Sequence, residues 1–321
     1  MSADPIRAVT EESLAEAAAM LRAGGVVAFP TETVYGLGAD ATSEAAVRRI
    51  YEIKGRPPSN PLIVHVPDAR AGQALAMVWS DQAEALAQRF WPGPLTLVVP
   101  RGARIPAVVS AGLPTLALRV PAHPVALRLL QAVDRPLAAP SANRSEHLSP
   151  TRAEHVRQGL PEVPLILDGG PCRLGIESTV VSLCTCPPRL LRPGALPLRL
   201  LRACLPELQL GPEPGAPAAS PGLSPRHYAP RARLLLSAEP AAVDPGPGPV
   251  GYLLRTTSPP RGAGRVERLP EDPEGYAADL YAALHRLDEA GVHTVVVESP
   301  PEGEAWMAVR DRLGRACSRA P

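Results

Sequence analysis

Short apolar runs that stop on proline or glycine alternate along the first two-thirds of the chain with stretches whose apolar residues fall on one helical stripe. No other feature narrows the possible folds so far. Leu14, Ala17, Ala18 and Leu21 make one such stripe, which predicts a helix over 11–23 stopped by Gly24-Gly25. Residues 26–29 then read as a buried strand ending on Pro30. Ser43 is suited to cap a helix over 44–54, and Gly55 to end it. Strands are expected at 62–66, 95–99, 115–120, 136–139, 165–167 and 179–183, with helices near 81–89, 123–133 and 151–158 between them. Interleaving of this kind indicates an α/β domain with helices flanking a sheet.

Between residues 205 and 232 the composition shifts to Pro, Gly, Ala and Ser, as in a linker made semi-rigid by proline. Beyond it, strands are expected at 233–236, 250–254 and 292–297 and helices at 276–290 and 304–316, a small second α/β domain. The division is therefore 1–205, a linker over 206–231, and 232–321, in keeping with 321 residues that are 45% hydrophobic. A net charge of +1 and 3% aromatic content argue against a basic, stacking-rich nucleic-acid surface. Five scattered cysteines offer neither a disulfide framework nor paired Cys-x-x-Cys zinc spacing, so reduced thiols are expected. No run of about 18 apolar residues occurs and no signal-like start is evident, which leads to the expectation of a soluble cytoplasmic protein with no membrane partner.

Lys54 is the single lysine; the other 32 of the 33 basic residues are arginine. It falls in the doubly cationic turn Lys54-Gly-Arg56-Pro57, and a compact ammonium beside a planar guanidinium suggests the handling of oxyanions. The strand ending at Phe29 runs into Pro30-Thr-Glu-Thr33-Val-Tyr-Gly-Leu-Gly38, a polar loop where α/β folds place ligands or simply a turn into the next element. His65 interrupts an apolar strand. Arg119 does the same and requires an anionic partner, either a buried Asp or Glu or a substrate carboxylate. Ser141 and Asn143 lead to Ser149-Pro150, where Ser149 is a natural N-cap and exposed helix amides suit phosphate or ribose oxygens. Gly175-Ile-Glu177-Ser178-Thr179 and Leu191-Arg192-Pro-Gly194 complete the polar set. There is no P-loop, no Gly-x-Gly-x-x-Gly after a strand and no Gly-x-Ser-x-Gly elbow, so a nucleotide site must be of another design and a protein nucleophile is a poor reading.

In order and spacing, these motifs, with Asn60-Pro-Leu-Ile-Val-His65 and Pro92-Gly-Pro-Leu-Thr96, resemble the L-threonylcarbamoyladenylate synthase family over about residues 10 to 205. The segment Ser220-Pro-Gly-Leu-Ser-Pro-Arg-His227-Tyr228-Ala-Pro230 is similar to the linker of its long form. The resemblance implies a YrdC-like twisted mixed sheet with flanking helices and a small Rossmann-like C-terminal domain. It implies condensation of L-threonine, bicarbonate and ATP to threonylcarbamoyl-AMP and pyrophosphate, with Mg²⁺ carried on ATP. Downstream transferase proteins would then modify tRNA, the chain itself meeting tRNA only indirectly. By motif, Thr33, His65, Arg119 and Ser178 fall on threonine positions. Arg56, Asn60, Thr115, Ser141, Asn143, Ser149 and Arg192 fall on ATP positions, with His227 or Tyr228 closing over the nucleotide and Lys54 and Arg56 as the catalytic cations. Two departures stand out: Glu146 where the family often has Gly, and a short, proline-rich C-terminal domain with weak resemblance before its last helix. The competing functions are a double-stranded RNA-binding module and a carbamoyl transferase of hydrogenase maturation, whose acylphosphatase-like domain and zinc motifs have no counterpart in this sequence.

Overall fold

The computed structural model describes residues 4–212 and 228–317. Its first sheet, among the described residues, has 11 strands in the order Ile6–Ala8, Ile166–Asp168, Val27–Phe29, Gly36–Asp40, Leu137–Ala138, Ile63–His65, Thr115–Arg119, Leu95–Pro100, Thr179–Ser182, Arg189–Arg192 and Gln209–Leu210. Parallel and antiparallel pairs alternate irregularly: Ile63–His65 runs parallel to Thr115–Arg119, which is antiparallel to Leu95–Pro100. The expected mixed sheet with flanking helices is what forms. The helix Glu11–Arg22 buries the predicted stripe against Pro124–Val133 and the sheet. The helix Glu44–Lys54 has the predicted bounds because Ser43 caps the Ala46 amide and Gly55 takes the left-handed conformation at its end, φ 58°.

Two local readings are corrected, and two strands that the residues did not announce join the first sheet. Gly36–Asp40, read as part of a ligand loop, is a strand antiparallel to Val27–Phe29, and Gly38 is required because a Cβ there would lie 2.7 Å from the Phe29 ring. Ser149 does not cap a helix: the helix is Ala153–Gly159, entered at Arg152 without a side-chain cap, and the Ser149 hydroxyl donates to Glu177. Arg189–Arg192 is a strand, and the pairing of Gln209–Leu210 with it carries the first sheet past the composition shift at residue 205.

The second sheet holds Arg233–Ser237, Thr294–Glu298, Val250–Leu254 and Arg265–Arg268 in that spatial order, all parallel, with the helices Pro273–Glu289 and Met307–Cys317 packed on it. Strand Arg265–Arg268 carries polar residues at most positions, which is why no apolar run announced it. One hydrophobic cluster contains Leu253, Leu280, Leu284 and Val295 from this domain together with Val34, Leu148 and Ile176 from the first. The C-terminal domain is thus packed directly against three loops of the first sheet. Gly175 marks the closest approach: its φ is +68°, and a Cβ would stand 2.1 Å from the carbonyl oxygen of Ala278.

Candidate active site

The ends of Val27–Phe29, Ile63–His65 and Thr115–Arg119 and the starts of Gly36–Asp40 and Thr179–Ser182 meet at a cavity of about 40 Å³. Thr33, Arg56, His65, Arg119, Ser141, Ser178, Arg192 and Tyr228 line it, so eight residues singled out from the sequence converge. Lys54, Asn60, Thr115, Asn143 and Ser149 are not on its wall. His227 lies outside the described residues.

Three guanidinium groups, on Arg56, Arg119 and Arg192, border this one small space. Arg56 Nε donates to the Asn60 carbonyl at 3.0 Å, and Nη2 donates to Asn60 Oδ1 at 2.6 Å and Pro61 O at 2.8 Å, so Asn60 aims Arg56. Burial, with Arg192 also nearby, brings the Arg56 pKa down to about 10. It remains a cation at neutral pH. Arg192 grips Ser178 through Nε at 3.1 Å and Nη2 at 2.9 Å to its carbonyl, and Nη1 faces the Tyr228 hydroxyl at 3.5 Å. Gly194 permits that grip, since a Cβ would sit 2.4 Å from Ser178 C.

Arg119 answers the alternative left open by the sequence: a buried carboxylate is present. Its Nη2 lies 2.8 Å from Glu32 Oε1, both side chains at most 5% exposed, yet neither atom has a hydrogen-bond partner, so the pair is close but poorly aligned. Glu32 Oε2 meanwhile accepts from the Ala122 amide at 3.0 Å. His65 is in register with Arg119 on the neighbouring strand. Burial, reinforced by the Arg119 charge, pushes its pKa down to about 3, and it is neutral in the folded protein. Thr33 and Thr31 share a hydroxyl contact of 2.8 Å, and Ser178 and Thr96 another of 2.8 Å, which fixes the small polar groups on the wall.

Lys54 stands behind this wall. Its Nζ donates to the carbonyls of Ser141, at 2.6 Å, and of Asn143, and so braces the loop whose Ser141 faces the cavity. Burial, with Arg56 adding to it, holds its pKa well below the ordinary lysine value. Glu146, the departure from the family pattern, has φ +70° and an exposed side chain; its carbonyl accepts from the Ala229 amide at 2.8 Å. That conformation is one that glycine adopts most readily.

Several participants were assigned no role from the sequence, although Glu177 was quoted in a motif. Glu177 is buried and accepts from Ser149 Oγ, Tyr281 Oη at 3.2 Å and Arg312 Nε at 2.7 Å. Burial opposes its ionisation, but Arg312, Arg192 and the Ser149 hydroxyl together hold its pKa below the usual value. Arg312 could have been suspected, because Val309, Arg312, Leu313 and Ala316 form one buried stripe with a charge at a core position. Glu32 lay within a quoted motif, but nothing local pairs it with Arg119.

Comparison with known proteins follows the same lines. Residues 19–194 match the Sua5/YciO/YrdC family model, described as telomere recombination, and residues 198–318 match the model of the threonylcarbamoyl-AMP synthase C-terminal domain. A threonylcarbamoyl-AMP synthase of Pyrococcus abyssi is 41% identical across 96% of this chain and 95% of its own. One from Bacillus subtilis is 40% identical across 95% and 93%. The crystal structure of P. abyssi Sua5 complexed with L-threonine superposes with a TM-score of 0.89 at 40% identity, covering 97% of each chain.

Proposed function

The chain belongs to the Sua5/YciO/YrdC family in its long form, and we infer that it is a threonylcarbamoyl-AMP synthase whose cavity joins L-threonine, bicarbonate and ATP. The observation that carries the chemistry is the convergence of Arg56, Arg119 and Arg192 on a space that also holds neutral His65 and the hydroxyls of Thr33, Ser141 and Ser178. Threonine carbamate is an anion that has to approach another anion, the α-phosphate of ATP. A carbamate oxygen forms the new bond to phosphorus, the bond from that phosphorus to the bridging oxygen breaks, and pyrophosphate leaves with its electron pair. Cations fixed in a buried wall lower the repulsion between the reactants and stabilise the charge that builds on the phosphoryl oxygens and the leaving group. Arg56 and Arg192 are the cations proposed for ATP. Because the carbamate is the nucleophile, positioning supplies the remainder.

Arg119 is proposed to receive the threonine carboxylate. Its poorly aligned contact with Glu32 supports this, since a ligand carboxylate could offer better hydrogen-bond geometry. Neutral His65 and the Thr33 and Ser178 hydroxyls would surround the amino acid. Mg²⁺ is proposed to arrive on the phosphates of ATP, since it keeps few protein ligands and Glu177, the buried carboxylate between Ser178 and the C-terminal domain, is engaged by Arg312. The product, a mixed anhydride of AMP, calls for an acceptor, and we propose that separate transferase proteins pass its threonylcarbamoyl group to tRNA. Among the described residues no helix is long and apolar enough to cross a membrane.

Pyrophosphate release measured with ATP, bicarbonate and each amino acid in turn tests the reading. Release is expected only with threonine and bicarbonate together, and undiminished threonine-dependent release in verified bicarbonate- and CO₂-free buffer would overturn it. Arg119→Ala is expected to weaken threonine binding by about 2 to 5 kcal/mol while ATP binding changes much less. Equal losses for both ligands by calorimetry would make Arg119 a structural partner of Glu32 alone.

A further inference from the structure

The motif Pro92-Gly-Pro-Leu-Thr96 meets the cavity at one remove. Thr96, on the strand Leu95–Pro100, is fully buried and off the cavity wall, but its hydroxyl stands 2.8 Å from that of Ser178, which is on it. Two hydroxyl oxygens so close need a proton between them, and their surroundings say whose. Among the described residues the Thr96 hydroxyl has no hydrogen-bond partner besides Ser178. If Ser178 supplied the proton, the Thr96 hydrogen would be buried with nothing to accept it, whereas Ser178 borders open space. Thr96 is therefore the donor. Arg192 Nη2 donates to the same Ser178 oxygen at 3.2 Å. A hydroxyl carries one proton and two lone pairs, so Ser178 has both lone pairs taken and only its proton to offer the cavity.

The loop after Phe29 settles the opposite case. Thr31 Oγ1 donates to the Val34 carbonyl at 2.6 Å, which spends its only proton. The 2.8 Å contact between Thr31 and Thr33 must then be made with the proton of Thr33. Thr33, on the cavity wall, is left able to accept but not to donate. A ligand group that meets Thr33 has to bring a proton, and one that meets Ser178 has to bring a lone pair. With the threonine carboxylate at Arg119 and its nitrogen carrying the carbamate, the side-chain hydroxyl is the donor not committed to the reacting end.

We propose that Thr96 is a positioning residue which, together with Thr31, gives the amino-acid site a fixed hydrogen-bond polarity: Ser178 donates to a substrate oxygen, and Thr33 accepts from the threonine side-chain hydroxyl. Selection against an amino acid of the same shape without that proton follows, because such a ligand leaves a buried lone pair of Thr33 facing nothing. This rests on the adenylation reading, which pyrophosphate release by the unaltered protein tests separately.

The test is calorimetry of L-threonine binding to wild type, Thr96→Val, Ser178→Ala and the double variant, each checked for folding by thermal melting. Thr96→Val keeps the shape and removes only the donor. It is expected to weaken threonine binding about five- to tenfold and to raise the KM for threonine more than it lowers kcat, with ATP binding moved by less than about twofold. With Ser178→Ala already in place, the same change should shift the dissociation constant by less than about twofold, because the hydroxyl through which Thr96 acts is gone. Thr96→Ser, which restores a donor, should bind threonine within about twofold of wild type. The polarity of Thr33 is read with the threonine analogue in which fluorine replaces the side-chain hydroxyl, a group of similar size that cannot donate. Wild type should bind it about tenfold or more weakly than threonine, and Thr33→Val should bring the two ligands within about twofold of each other. Equal binding of the two ligands by wild type, a gap that persists in Thr33→Val, equal losses from Thr96→Val in both backgrounds, no loss, or no recovery in Thr96→Ser would each overturn the proposal. If Thr96→Val does not fold, Thr96→Ala takes its place; failure of both would make Thr96 a structural core residue and overturn the proposal as well.

Discussion

At position 54 a compact ammonium directs two donors at the carbonyls of Ser141 and Asn143 within a buried turn, geometry that a planar guanidinium cannot copy. Lys54→Arg therefore displaces the loop that carries Ser141. A loss on the order of 10²-fold in kcat is expected, the scale for a misplacement of about 1 Å in a positioned site. Pyrophosphate assays on the folded variant check it, and wild-type turnover would show the lysine to be incidental. His65 makes a different demand. Its pKa is about 3 in the folded chain, against an ordinary value near 6.5, because burial and then Arg119 disfavour its charge. Between those values the unfolded chain binds a proton that the folded one does not, so stability rises with pH across the window and is lost as pH falls from about 6.5 towards about 3. At about pH 5 the loss attributable to His65 is roughly 2 kcal/mol. Urea unfolding at several pH values should show this slope, and His65→Gln should flatten it; an unchanged slope would assign the acid sensitivity to other groups, His155 among them.

Among the elements, the helix Pro273–Glu289 helps to seat the C-terminal domain on the first. Tyr276, Leu280, Tyr281 and Leu284 bury its inner face, and the Gly175 loop meets its backbone at Ala278. Gly175→Ala has to accommodate both a positive φ and a Cβ 2.1 Å from a carbonyl oxygen. It is expected to cost about 2 to 4 kcal/mol, combining overpacking with a left-handed backbone. Because Glu177 is two residues away, activity should fall further than stability alone accounts for. Denaturant titration beside pyrophosphate assays separates the two effects, and a neutral result in both would mean that the helix shifts freely on the loop.

For the whole molecule, the shared cluster decides whether the two sheets behave as one unit. Val34, Leu148 and Ile176 lose their partners if the C-terminal domain leaves, and Glu177 loses Arg312 and Tyr281. Breaking such a buried charge pair from one side is strongly destabilising, by about 3 to 5 kcal/mol. The intact chain is therefore expected to unfold in a single calorimetric transition. Two well-separated transitions would show that the domains hold their structures independently.

Much of this was legible in the residues alone. Helix 44–54 could be placed to the residue because its cap, its stripe and its terminal glycine are all local signals, and the order of the motifs identified the cavity wall from Thr33 to Arg192. Strand Arg265–Arg268 was not legible, because its residues are largely polar and neighbouring strands supply its pairing. Ser149 was misread for a related reason: its hydroxyl has a local use as a cap, but Glu177, 28 residues further along, accepts its hydrogen bond. Arg312 and Glu177 are 135 residues apart, and Tyr281 and Glu177 104, so no window of sequence contains either pair. The sequence by itself determined most of the elements, the family and most of the polar groups on the cavity wall, since these depend on residue type and short spacing. Only the tertiary structure decided which cations face the cavity and which ones brace its wall, because a buried charge settles against whatever partner folding brings within about 3 Å.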